Sequence, residues 1–152
     1  MKALEKLLSV AFSLAIFGWI AAPMHEGFHL LVSKSLGVGG RIDLAWGGYG
    51  TFQPDGPLPL GSDVLMRLAG GVGTGLVFLV LWALAAFQLK HTNWELDDAS
   101  ALLLVALMQF AYAPIDAFWV GGPWWVITAS ALAAVGGTGV VYGKRLMRWI
   151  AE

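Results

Sequence analysis

The chain has 152 residues, 58% of them hydrophobic and only 12% charged, with a formal net charge of −1 and a mean hydropathy of +0.71. A soluble domain carries roughly 25% charged residues, so this composition cannot cover a water-soluble fold, and lipid is the expected solvent for much of the exterior. No basic run gives a footing for nucleic-acid binding, and the absence of cysteine excludes disulfides and thiolate metal sites.

Four stretches hold no Asp, Glu, Lys or Arg: residues 7–25, 68–89, 99–115 and 117–143. A spanning helix needs roughly 17–25 mostly apolar residues. The expected fold class is therefore an all-α polytopic membrane protein, a single membrane domain over residues 1–152. Its helices are expected at about 5–37, 64–89, 99–120 and 124–143, with a small interfacial β-hairpin after the first. Lys2 and Lys6 ahead of an apolar run imitate a signal peptide. The run leads directly into the most specific motif of the chain, so it is expected to stay in the mature protein.

Pro23 is a candidate kink in the first helix. Residues 38–62 are rich in Gly and Pro, and the segment 41–53 reads as two short strands about Gly47-Gly48, followed by a Pro54-Asp55-Gly56-Pro57 turn. Bare strand edges cannot face lipid, which places this element at the interface or against a cavity. In the second helix Gly71 and Gly75 form a small-xxx-small pair suited to close helix approach. Asp97, Asp98 and Ser100 are candidate caps of the third, and Gly121-Gly122-Pro123 ends it. Trp124, Trp125 and Trp149 suit an aromatic belt. With four spans, Lys2, Lys6, Lys90, Lys144, Arg145 and Arg148 share one side, against Lys34, Arg41 and Arg67 on the other. That bias puts both termini in the cytoplasm.

The first apolar run ends in His25-Glu26-Gly27-Phe28-His29, an HExxH pattern. On a helix, positions i and i+4 share a face, so both imidazoles can reach one ion, with zinc as the expected cofactor. Glu26 stands beside them as the expected catalytic base. It is the only acidic residue between Glu5 and Asp43, and ionisable groups within a span are functional by default. Two histidines leave zinc short of a protein ligand. Asp116 is the best candidate for the third, because it is the sole charged residue between Ala99 and Gly143. His91 competes with it, but its neighbours Lys90, Thr92 and Asn93 read as a solvated loop. Pro114 is expected to free helix carbonyls near the site, and Ser33, Gln53, Asp55 and Tyr112 are candidates for a polar path admitting water.

The segment APMHEGFHLLVSKSLGV resembles the first core helix of the site-2 protease family of intramembrane zinc metalloproteases, matching at His25, Glu26 and His29 and then at Lys34 and Gly37. Ala113-Pro114-Ile115-Asp116-Ala117 resembles the family's second signature, with Ala117 in place of the usual Gly. The resemblance covers residues 5–120. It implies Glu26 as catalytic residue and His25, His29 and Asp116 as zinc ligands. It also implies a membrane β element after the first helix, and a transmembrane peptide as substrate in a prokaryotic cell membrane. The family's substrate-holding Asn has no match in register; Gln109 lies nearby. No PDZ or CBS module is expected within these 152 residues. The alternative expectation is a non-proteolytic small subunit of a membrane protein complex that retains the metal site.

Overall fold

In lipid, backbone N–H and C=O groups must be bonded within their own segment, and the apolar runs respond by forming helices. The computed structural model describes residues 2–45, 49–88, 96–118 and 124–151. In chain order the elements are α1 (Lys2–Ser35), β1 (Gly40–Ala45), β2 (Tyr49–Pro54), α2 (Asp63–Gln88), α3 (Leu96–Phe118) and α4 (Trp124–Ala151). All four helices are long and apolar enough to cross a membrane. The chain is a four-helix membrane-spanning bundle with one antiparallel hairpin after its first helix.

At 34 residues, α1 is about 50 Å long, against a hydrocarbon layer of about 30 Å, so part of it must tilt or project. Its end is set by Gly37, which adopts φ +78°, a left-handed conformation that a residue without Cβ takes freely. The N–H of Val38 then bonds the Ser33 carbonyl at 3.0 Å and that of Gly37 the Lys34 carbonyl at 3.0 Å, closing the helix end. The buried Ser33 hydroxyl donates to the Val38 carbonyl, so this residue serves the helix end and not a water path. The chain turns directly into β1. There Arg41 pairs with Gln53, Ile42 with Phe52 and Asp43 with Thr51 across the hairpin.

The glycines of α2 bring its neighbours close. A Cβ on Gly71 would lie 2.7 Å from the Gln109 carbonyl oxygen of α3, and one on Gly75 would press on the Phe110 ring. Gly73 makes the same kind of approach to Phe28 of α1. The expected Gly71–Gly75 pair thus faces α3. Further along, the core joins Ala21, Phe78, Ala85, Leu102, Leu103 and Ala106 with Tyr142 of α4. Two polar pairs cross this apolar interior: Ser13 Oγ donates to Asp98 Oδ1 at 2.6 Å, and Trp82 Nε1 donates to the Tyr142 hydroxyl at 2.6 Å. Asp98, expected as a cap, is therefore also a tie between α1 and α3. Outward-facing Phe12, Trp19 and Val140 expose more than half of their surface, as suits helices long and apolar enough to cross a membrane.

One boundary lies well beyond expectation. The fourth helix runs on to Ala151 instead of ending near residue 143, because the residues after Gly143 include good helix formers and no breaker. Pro114 lies inside α3 without ending it; lacking an N–H, it leaves the Phe110 carbonyl without its helical donor. The Gly47-Gly48 turn, His91 with its loop and Gly121-Gly122-Pro123 lie outside the described residues.

Candidate metal centre

His25 and His29 lie one turn apart on α1, with ring centroids 4.7 Å apart. Both present Nε2 to one oxygen of Asp116, near the end of α3: 3.4 Å from His25 and 3.2 Å from His29. Both histidines are buried and Asp116 is partly so. The three ligand atoms lie within 4.8 Å of one another, a group able to hold a metal ion.

The far side of each ring is also fixed. His29 Nδ1 donates to the backbone carbonyl of Met66 at 2.6 Å, and His25 Nδ1 donates to Gln109 Oε1 at 3.0 Å. A carbonyl can only accept, so each Nδ1 carries the proton and each Nε2 turns a lone pair toward Asp116. If the Nε2 atoms were donors as well, two imidazolium ions would be packed edge to face within a span, against one carboxylate. A cation at the centre resolves this, since all three groups then act as acceptors. The two histidine–Asp116 distances agree: ligands about 2.0–2.1 Å from a tetrahedral ion stand about 3.3 Å apart. A hydrogen bond from Nδ1 to a carbonyl or carboxylate is the usual support of metal-bound histidine.

Gly70 completes the cradle. A Cβ there would collide with Nε2 of both histidines, so only glycine leaves the ligand face open. The ring of Phe52, from β2, stacks on His29 with centroids 6.3 Å apart. Tyr112, one turn before Asp116 on α3, lies against His25 at 5.9 Å.

The cluster forms part of the wall of a cavity of about 780 Å³. Glu26 lines the same cavity, half-buried, with its side chain against Gly50 of β2, where any Cβ would press on the Glu26 Cγ. Thr51 and Phe52 of β2, Arg67 of α2 and Ile127 of α4 contribute further wall. Arg67 Nε is bonded to Asp63 Oδ2 at 3.0 Å at the start of α2.

The structure thus gathers His25, Glu26, His29, Gln109, Tyr112 and Asp116 around one cavity. Other candidates stand apart. Gln53 is exposed and accepts a bond from Arg41 at 2.9 Å across the hairpin, Asp55 is exposed beside Gly39, and Pro114 is exposed on α3; none of them lines the cavity. Sequence reasoning did not find the Met66 carbonyl, Gly70 or the Phe52 ring. A main-chain acceptor leaves no trace in residue type, whereas Gly70 is adjacent to the small-xxx-small pair and was visible as composition alone. Comparison with models of known families, with curated proteins and with solved structures finds no match to this chain.

Proposed function

We propose that the chain is a zinc-dependent intramembrane endopeptidase of the site-2 protease type, cleaving transmembrane or membrane-associated peptide segments. The observation that carries this reading is the convergence of two anchored imidazoles and one carboxylate, with Glu26 on the same cavity wall. His25, His29 and Asp116 are the residues that would hold the ion. Two nitrogens and a carboxylate oxygen suit zinc and leave it a fourth position. When bound, zinc supplies a Lewis acid that polarises a carbonyl and acidifies water.

The protein's own groups then divide the remaining work. The Glu26 carboxylate takes a proton from the attacking water and returns it to the nitrogen of the leaving amine. Met66 and Gln109 hold the two rings in the tautomer and orientation the ligand face needs. A peptide must unwind to be cut, because a helix engages its carbonyls in internal bonds. Among the described residues β2 pairs with β1 on one edge, and in this reading its other edge takes the unwound peptide as an added strand. A cavity of about 780 Å³ lies within the roughly 300–1,000 Å³ typical of ligand sites.

The test compares wild-type and E26Q protein in detergent on a labelled apolar peptide with a Gly-Pro break at its centre. Both proteins are expected to hold about one zinc per chain, and only the wild type to cut. Zinc retained without hydrolysis by the wild type would favour the non-proteolytic subunit instead.

A further inference from the structure

Hydrolysis of an amide places negative charge on the former carbonyl oxygen, and a hydrogen-bond donor aimed at that oxygen accelerates the reaction. The amide nearest the metal centre, Gln109, is oriented by the bond its oxygen accepts from His25. Tyr112 is not so engaged. It occupies the position one turn before Asp116, shares that residue's face of α3, and lines the cavity beside the His25 ring. Its side chain is 37% exposed, and that surface includes part of the cavity wall. Among the described residues its hydroxyl has no hydrogen-bond partner, whereas the other phenol of the bundle described in detail, Tyr142, accepts from Trp82. A tyrosine hydroxyl within a span ordinarily finds a partner. Here the cavity that Tyr112 lines can supply that partner.

We propose that Tyr112 is a catalytic residue, whose phenolic hydroxyl donates a hydrogen bond to the substrate oxygen that becomes negatively charged during cleavage. The inference rests on the protease reading above. A phenol suits this role because it donates while neutral. Its rigid ring is fixed against His25, so the donor is in place before the charge forms. The proton stays on the phenol throughout, and transfer of protons to the leaving amine remains with Glu26.

The experiment uses full-length Y112F, which keeps the ring and removes only the hydroxyl. Three quantities are measured against wild type: zinc content, kcat and KM on the same labelled peptide, and affinity for phosphoryl-leucyl-tryptophan, whose tetrahedral anion mimics the charged oxygen. Y112F is expected to keep its zinc and a KM within about twofold. Its kcat is expected to fall on the order of 10²-fold, and its affinity for the phosphoryl peptide to fall with it. Unchanged kcat and phosphoryl-peptide affinity in Y112F, with an active wild type, would overturn the assignment and leave the protease reading standing. Loss of zinc from Y112F would overturn it too, by making the residue structural. A wild type that holds zinc but neither cuts nor binds the phosphoryl peptide would remove the protease reading and this role together.

Discussion

His25 and His29 are held from both sides, and the two anchors differ in kind. The Met66 carbonyl belongs to the backbone of α2 and cannot be removed by substitution, while Gln109 is a side chain that can. Replacing Gln109 with Leu keeps most of the volume and removes the acceptor. Zinc affinity is expected to fall about 10–100-fold, read by competition with a chromophoric chelator; unchanged affinity would show that the bond does not orient the ligand. Thr74 supplies a contrasting case. It is fully buried in α2, and among the described residues its hydroxyl has no hydrogen-bond partner. A T74V substitution conserves shape and removes an unsatisfied group, so stability is expected to rise by about 1 kcal/mol, measured by denaturant unfolding in micelles.

Among the elements, α2 decides whether the site can exist. Gly70 leaves room at the histidine face, and Gly71 and Gly75 let α3 approach closely enough for Gln109 to reach His25. A methyl on Gly71 would meet backbone as well as the Ala113 side chain, so α2 and α3 must separate. G71A is expected to destabilise the bundle by roughly 1–3 kcal/mol and to weaken zinc binding, since Gln109 moves with α3. G70A is expected to leave the helices folded and to abolish zinc binding alone; both are read by thermal unfolding beside metal content. Much at this scale was legible in the sequence. The charge-free runs located the four helices, and Gly and Pro located the hairpin, because lipid solvation and strand geometry both act on residue type. Gln53 shows the limit. Its polarity suggested the site, yet alternation along β2 and pairing with Arg41 take it away from the cavity, a fact of register that composition does not carry.

For the whole molecule, four spans put the start of α1 and the end of α4 at one membrane face, and the hairpin, the start of α2 and the end of α3 at the other. The metal cluster lies toward that second end, near the residues joining α1 to α2. The placement of Asp116 beside His25 and His29 follows from this alternation, which is why a single charged residue two spans away was informative in the sequence. The chain contains no cysteine, so single-cysteine labelling reports topology without background. D55C and R148C are expected to react with an impermeant maleimide from opposite faces, D55C from outside the cell and R148C only after lysis. Labelling of both from one face would contradict the four-span arrangement.

His25, His29 and Asp116 are proposed to form one metal site. Crystallographic anomalous scattering measured at the zinc edge on the purified, metal-loaded protein tests this most directly. A single peak per chain is expected, bonded to Nε2 of both histidines and to a carboxylate oxygen of Asp116, and lost in D116A. No peak at this cluster, or a zinc peak that persists there in D116A, would contradict it.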